Sequence, residues 1–170
     1  MKKIAALLFV ILCYIFIGKV VTEESIIPSD AIRIRIIANS NDYNDQKIKM
    51  DLKSELEPYL FNLIKDAHSS NEAKYIINNN LSSIDNFIDS KVNNQNYKIN
   101  FGKNYFPKKE YKGIKYDEGY YDSLLITLGD GLGDNWWCVL FPPLCMIDAS
   151  ASTDYEYKSF VVEMINKYVK

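Results

Sequence analysis

Two cysteines in the last third of the chain are close enough in sequence to be considered for redox chemistry, metal binding or a disulfide. Cys138 and Cys145 lie in the segment NWWCVLFPPLC, with six residues between them. Thioredoxin-type redox chemistry needs a closer pair, and zinc needs two further ligands that this segment lacks. In an oxidising compartment, a disulfide between them would close a loop that stabilises the fold by roughly 2–3 kcal/mol. Two buried free thiols are the alternative.

Residues for acid–base or nucleophilic catalysis are sparse. His68 is the single histidine of the chain, so a histidine-rich metal site is excluded, and no G-x-S-x-G motif supplies a serine partner for it. Its place at the end of a helical pattern is more typical of a helix-dipole contact. Aspartate and glutamate are numerous, but no spacing singles out a pair for glycoside chemistry. We therefore predict no catalytic residue, no metal and no cofactor.

A glycine-rich run, LGDGLGDN, precedes the tryptophans at residues 128–135. It lacks the G-K-[ST] ending of a phosphate-binding loop, and Asp134 stands where a dinucleotide motif needs its last glycine. It also lacks the acidic third position of a calcium-binding loop. The run instead predicts a sharp turn, because glycines permit positive φ and close backbone approach.

Aromatic residues and arginines are the candidates for binding a partner. Trp136, Trp137 and Phe141 are followed by a proline pair, which predicts an irregular apolar loop. The loop folds back on the core, presents an interface, or does both, with one tryptophan pointing each way. Arg33 and Arg35 are the only arginines and share one strand face. They are either solvated or salt-bridged at the surface, or they make forked contacts to carboxylates of a partner.

Three segments have sequences typical of β-strands, and these strands must position the candidate binding residues. Residues 31–38 alternate apolar side chains with the two arginines, and residues 97–101 show the same period of two; residues 121–128, YDSLLITL, are the third predicted strand. The intervening residues 102–119 are rich in turn residues and tyrosines, which predicts a hairpin-like excursion without a regular element.

Apolar residues recur at helical spacing in residues 48–64, 73–88 and 160–169. Pro58 is expected to kink or split the first helix, and capping boxes at residues 69–72 and 153–156 begin the other two. Helices and strands do not alternate regularly. We therefore predict a single α+β domain with a small, mostly antiparallel sheet and amphipathic helices.

The N-terminus carries an export signal. Lys2 and Lys3 precede an unbroken apolar run that ends at Ile17, which predicts a signal peptide or an uncleaved membrane anchor over residues 1–22. Residues 23–30 are then a linker and residues 31–170 the exported domain. The net charge of −2 gives no electrostatic footprint for nucleic acid.

Two motifs resemble the stage II sporulation protein R family. They are IRIRIIANSN, residues 32–41, and the block GIKYDEGYYDSLLITLGDGLGDNWWCVLFPPLCMID, residues 113–148. The resemblance implies a signalling protein of endospore-forming bacteria, made in the forespore and secreted into the space between the two membranes around it. It also implies a partner, a membrane-embedded aspartic protease of the mother cell that processes the pro-form of an early sigma factor.

On this interpretation the chain is a ligand without catalytic activity of its own. The candidate contacts are Trp136, Trp137, Phe141 and the two arginines, with the cysteine pair holding the loop. An uncleaved N-terminal segment would add membrane contact. The alternative is an exported cell-wall hydrolase that acts through carboxylates no motif identifies.

Overall fold

Four helices and six strands form the part of the chain that the structure describes. This computed structural model describes residues 26–92, 95–111, 114–146 and 154–168. The strands are β1 Ile32–Ile37, β2 Tyr97–Phe106, β3 Lys109–Tyr111, β4 Ile114–Tyr116, β5 Gly119–Leu128 and β6 Asn135–Phe141. The helices are α1 Tyr43–Ile64, α2 Ser70–Asn79, α3 Leu81–Asp89 and α4 Asp154–Tyr168. The predicted α+β class is confirmed.

The main sheet has four strands in the order β2-β5-β1-β6. Strand β1 pairs with β5 in parallel and with β6 antiparallel, and β2 pairs with β5 antiparallel. Two of the three pairings are therefore antiparallel, as predicted. Strands β3 and β4 form a separate two-stranded ribbon. The parallel pair is possible because three helices, strand β2 and the ribbon separate β1 from β5 along the chain, which is more than the dozen residues that a parallel crossover needs.

The alternating sequence of β1 gives the sheet two different faces. The helix-side face carries Ile32, Ile34 and Ile36, which are buried in the main core. The ribbon-side face carries Arg33 and Arg35. The main core is completed by apolar residues of the helices and of β5: Leu52, Leu56, Leu60, Ile64, Ala73, Ile77, Ile84, Ile88, Leu124 and Ile126. A smaller cluster lies beside the ribbon: Ile27, Ala31, Ile114, Tyr116, Val139, Leu144 and Val161.

Helix α1 continues through Pro58, so the predicted split is wrong. Proline lacks the N–H that would bond the carbonyl four residues earlier, that of Ser54. Both residues are exposed, so water can solvate the carbonyl that Pro58 leaves without a partner. The apolar residues of α1 face the core on both sides of the proline, and this packing stabilises a single helix.

The second predicted helix is two helices. Ser69 caps the first as expected, since its hydroxyl accepts a hydrogen bond from the Glu72 N–H at 3.2 Å. The helix then ends at Asn80, whose side-chain amide donates to the Ile76 carbonyl at 2.8 Å. Asparagine competes in this way with regular helical bonding, and α3 begins one residue later. The closing helix is confirmed as α4, although the proposed capping residue Thr153 lies outside the described residues.

The excursion between the second and third predicted strands is more regular than expected. Strand β2 extends to Phe106, β5 begins at Gly119, and the residues between them contain the β3–β4 ribbon. The hairpin-like character is confirmed, whereas the expected lack of regular structure is wrong.

The predicted export segment, residues 1–22, lies outside the described residues, as does the start of the linker. The division into export segment, linker and domain stays a prediction. Among the residues that are described, no helix combines the length and apolar content needed to span a bilayer.

Candidate functional site: a groove at the edge of the sheet

The tryptophans lie on an edge strand. The segment NWWCVLF, predicted as an irregular loop, forms β6, and that prediction is wrong. Strand β6 is the outermost of the four, with β1 beside it. The proline pair follows the strand directly, so it ends β6 without interrupting the ladder.

The glycine-rich turn sets the position of β6. Gly129 and Gly131 have φ of +54° and +68°, as the sequence predicted for this turn. The turn docks on the residues after β1: the Asn39 side-chain oxygen accepts from the Asp130 N–H at 2.9 Å. At Gly133 an added Cβ would lie 2.2 Å from the Ser40 carbonyl oxygen. The two sequence motifs therefore meet here, and their contact directs the chain from β5 across to the edge.

The tryptophans point to opposite faces of the sheet, as expected for neighbours on a strand. Trp136 lies opposite Ile36 and packs against the main core, with the Lys53 ammonium 5.4 Å from its ring centroid. Trp137 lies on the ribbon-side face. Its ring meets those of Phe106 and Tyr116 edge-on, at centroid distances of 5.5 and 5.4 Å. Both tryptophans remain partly exposed.

A groove of about 320 Å³ runs along this edge. Its walls come from α1, from the ribbon, from β6 and from the turn after β6: Lys53, Glu57, Lys109, Tyr111, Tyr116, Trp136, Trp137, Cys138, Val139, Leu144 and Cys145. We refer to this as the edge groove. It touches four consecutive residues of β6, so it reaches both faces of the strand. Since β1 occupies the inner edge of β6, the edge groove passes around the outer edge.

The two cysteines both line the edge groove and lie next to each other. Both are partly buried free thiols in this structure. The Cys145 thiol donates to the Val139 carbonyl at 3.0 Å. Burial, and after it a hydrogen bond with the Cys138 thiol, raise the pKa of Cys145 well above its usual value. A neutral thiol is a poor nucleophile, which disfavours thiolate catalysis here. The sulfurs are close enough to interact, and the disulfide stays a prediction.

One carboxylate enters the edge groove, from α1. Glu57 accepts from the Lys53 ammonium at 2.9 Å across one helical turn. Burial raises the pKa of Glu57, and the hydrogen bond and charge of Lys53 oppose that shift. Among the described residues that line the edge groove, Glu57 is the only acid. A two-carboxylate glycosidase needs a second one within about 5–10 Å across the substrate, so the edge groove does not match that class.

The two arginines lie among aromatic rings on the ribbon-side face of the sheet, and we call this arrangement the aromatic layer. The Arg33 guanidinium lies 3.4 Å from the Tyr121 ring centroid and 5.0 Å from those of Phe106 and Trp137. One Arg33 nitrogen donates to the Asp117 carbonyl at 3.3 Å, while Nε and Nη1 have no hydrogen-bond partner among the described residues. Burial lowers the pKa of Arg33, which is fully buried. Surface salt bridging, the simpler interpretation of this residue, is therefore wrong.

Arg35 continues the same layer towards solvent. Its guanidinium lies 4.3 Å from the Phe106 ring centroid and donates to the Tyr105 carbonyl at 3.0 Å. Phe141 is buried at 1% exposure against Tyr168, with ring centroids 5.8 Å apart. Partner contact stays a prediction for all five candidates. Burial of Arg33 and Phe141 leaves Trp136, Trp137 and Arg35 as those within reach of another protein.

Several groove residues were missed at the sequence level. Lys53 and Glu57 carry a readable signal, since an i,i+4 lysine–glutamate pair predicts contact on a helix face. Lys109, Tyr111 and Tyr116 carry none, because the ribbon brings them to β6 only in three dimensions. No group of acidic, cysteine and histidine side chains in the described ranges has the arrangement of a metal site. His68 is exposed between α1 and α2, away from the edge groove.

Comparison with known proteins gives two matches. A model of the family described as stage II sporulation protein R matches residues 28–151. The stage II sporulation protein R of Bacillus subtilis (strain 168) is 39% identical over 132 residues, which cover 75% of this chain and 59% of the relative. The chain thus spans less than two thirds of the length of that relative. No solved structure matches the chain.

Proposed function

The chain belongs to the stage II sporulation protein R family, and from this premise we propose that it is an exported signal of sporulation. In this proposal the forespore makes the protein and secretes it into the space between the two surrounding membranes. There it binds a membrane-embedded aspartic protease of the mother cell and activates it. The protease then processes the pro-form of an early sigma factor. The N-terminal apolar run, residues 4–17, supplies export and either is cleaved or remains as an anchor.

The observation that carries the proposal is the edge groove. Both tryptophans of the chain line it, one on each face of β6, and both are partly exposed. Tryptophan and tyrosine are the residues most enriched among binding hot spots, and the edge groove also contains Tyr111 and Tyr116. A binding surface of this kind, with one carboxylate and a thiol of raised pKa, suits a ligand better than a hydrolase.

Activation of the receptor requires differential binding. A ligand shifts a protein towards an active state only if it binds that state more tightly than the inactive one. The edge groove is built from a paired strand, a helix and a ribbon braced by aromatic contacts around Trp137. Such a preorganised surface loses little side-chain entropy on binding. We propose that the free energy of docking therefore goes largely into stabilising the active receptor.

Reconstitution tests this function. The full chain, the receptor protease and the pro-sigma substrate are combined in proteoliposomes, and substrate cleavage is followed on gels. Cleavage that depends on the chain supports the proposal, and Trp137→Ala is expected to reduce it. The matched control is Tyr75→Ala, which removes an aromatic side chain that is 69% exposed on α2, outside the edge groove.

Thermal melts of both variants establish that each is folded at the assay temperature. If wild-type chain produces no cleavage above background, the signalling proposal is wrong. If cleavage persists in full with a folded Trp137→Ala variant, signalling survives but Trp137 is not a contact.

The hydrolase alternative has a direct test of its own. Purified full chain is incubated with peptidoglycan, and soluble muropeptides are measured by chromatography. Our proposal expects no release above the buffer control. Release by wild-type chain that Glu57→Gln abolishes would identify Glu57 as a catalytic acid and replace the ligand proposal with an enzyme.

A further inference from the structure

The outer edge of β6 has peptide groups available for another strand. A hydrogen bond of 3.4 Å joins the Ala38 N–H to the Asp134 carbonyl, which fixes the phase of the β1–β6 ladder. Since the peptide groups of a strand alternate in direction, those of Trp137 and Val139 point away from β1. The Val139 carbonyl is taken by the Cys145 thiol. The N–H and carbonyl of Trp137 therefore point to the outer edge of β6, whereas Val139 is buried at 1% exposure.

Both walls of the edge groove leave room for a chain lying beside β6. Helix α1 bounds it on one side and the ribbon on the other, with about 320 Å³ between them. The turn after β6 adds Leu144 and Cys145 to the lining. An extended segment fits such a shape, because its backbone can bond the strand edge while alternate side chains reach the two walls.

The charges at the edge groove favour an acidic occupant. Lys109 is exposed, and its ammonium lies 5.2 Å from the ring centroid of Trp137. Within the described residues it makes no ion pair, whereas Lys53 on the other wall is paired with Glu57. A carboxylate on the incoming strand would meet Lys109 above the ring. Desolvation by the aromatic wall strengthens such a pair relative to bulk water.

A second copy of this chain is a poorer occupant. Twofold pairing of two β6 strands is self-complementary, so it would bring the Lys109 of one copy close to the Lys109 of the other. Lysines at sheet edges are a common protection against edge-to-edge pairing of identical chains. The same charge that repels a second copy attracts an acidic strand.

We infer that the edge groove accepts an extended acidic peptide segment of a partner protein, which adds to the sheet as a fifth strand beside β6. The segment bonds the outward N–H and carbonyl of Trp137 and places an acidic side chain against Lys109. This inference rests on the proposed function in taking that partner to be the receptor. The physical claim is β-strand addition with acidic selectivity, and it is testable without the receptor.

The two tryptophans make the test direct. They are the only tryptophans in the chain, and both line the edge groove, so intrinsic fluorescence reports occupancy. The full chain in detergent is titrated with a capped six-residue peptide of alternating valine and glutamate. Two comparison peptides replace glutamate with lysine, or carry N-methyl groups on alternate amides so that one backbone edge cannot bond.

Saturable binding of the acidic peptide is expected, with the lysine and N-methylated peptides each roughly tenfold weaker, since each loses interactions of about 1–1.5 kcal/mol. Lys109→Glu should reverse the preference towards the lysine peptide. The control is Lys108→Glu, which changes the charge of the exposed neighbour that does not line the edge groove. The Lys108→Glu variant should still bind the acidic peptide more tightly than the lysine peptide.

Three outcomes overturn the inference. They are no saturable change with the acidic peptide, equal binding of the N-methylated peptide, and a β6-mediated dimer in sedimentation that the peptide does not dissociate. In the proteoliposome assay, failure of the wild-type chain rejects the proposed function. If the wild type is active and a folded Lys109→Glu variant activates fully, only the acidic docking at this edge is rejected and the proposed function stands.

Discussion

The two faces of the main sheet differ although the same strand supplies both. On the helix-side face Ile32, Ile34 and Ile36 pack against three helices at no more than 1% exposure. On the ribbon-side face Arg33 is equally buried, but its neighbours are aromatic rings and a carbonyl. One face is an ordinary apolar core. The other holds a charge among π-faces, with two guanidinium nitrogens that find no partner in the described part of the chain.

The difference explains why the ribbon-side face is suited to recognition. An aliphatic core is stabilised by burial alone and tolerates little exposure. Aromatic rings around a guanidinium combine apolar area with a polar handle and are stable when partly wet. The aromatic layer extends from Arg33 through Trp137 to the edge groove. The helix-side face therefore provides stability, and the ribbon-side face positions the residues we propose for binding.

The largest expected effect is on the helix-side face. Ile34→Ala removes a side chain that is 1% exposed at the centre of the sheet, and substitutions of this kind lower the free energy of unfolding by about 2–5 kcal/mol. Urea denaturation followed by circular dichroism measures it. The control is Leu132→Ala, at a position 79% exposed, which should change stability by less than about 0.5 kcal/mol. Similar losses in both variants would contradict the assignment of the main core.

The cysteine pair comes next in size. Cys138 packs against the main core from the helix-side face, and its predicted bridge to Cys145 closes a loop worth about 2–3 kcal/mol. Adding reductant to exported wild-type protein should lower the free energy of unfolding by that amount. The double variant Cys138→Ser/Cys145→Ser should not respond to reductant. Alkylation of both thiols in unreduced, denatured exported protein would show that the bridge does not form.

The sequence predicted this two-faced design only in part. The period of two in IRIRII placed the isoleucines and arginines on opposite faces, and the turn glycines predicted the connection to the tryptophans. It did not predict that Arg33 is buried. An arginine on a short strand is usually solvated, and the rings that cover it come from Phe106 and Tyr121, distant in sequence.

The edge groove was less predictable than the fold. The prolines after β6 suggested an irregular loop. Proline is compatible with the end of an edge strand, but the sequence does not show that this segment lies at the edge of the sheet. The tryptophans and cysteines were identified, but the walls depend on tertiary placement of α1 and of the ribbon. Local patterns predict which residues are unusual, whereas the surface that unites them depends on long-range pairing.

A third prediction separates charge from packing on the ribbon-side face. Arg33→Ala should lower the free energy of unfolding by about 2 kcal/mol, since three rings lose a buried contact. Arg33→Met retains the volume and removes a charge whose burial is unfavourable, so its loss should be within about 1 kcal/mol. If urea denaturation shows that Arg33→Ala and Arg33→Met lower the free energy of unfolding equally, the cation itself stabilises this face. Lys98→Met, at an exposed position on β2, controls for removal of a charge.

The smallest effect is a pH dependence on the helix-side wall of the edge groove, at Glu57. Burial raises the pKa of Glu57 in the folded state above the value of about 4.3 for free glutamate. The folded protein therefore binds a proton more tightly than the unfolded chain does. The stability that this difference contributes is complete below the unfolded pKa and is lost as pH rises through the folded pKa. The charge of Glu57 opposes folding at neutral pH, in the same sense as the charge of Arg33.

Glu57→Gln removes this titration while keeping an oxygen that can accept from Lys53. Relative to wild type, the variant should become more stable as pH is raised from 4 to 7, as measured by urea denaturation at each pH. Glu110→Gln, at an exposed position on the ribbon, should follow the wild-type profile. A Glu57→Gln profile parallel to wild type would mean that the Lys53 pair fully offsets burial. The unfavourable buried charge would then belong to the ribbon-side face alone.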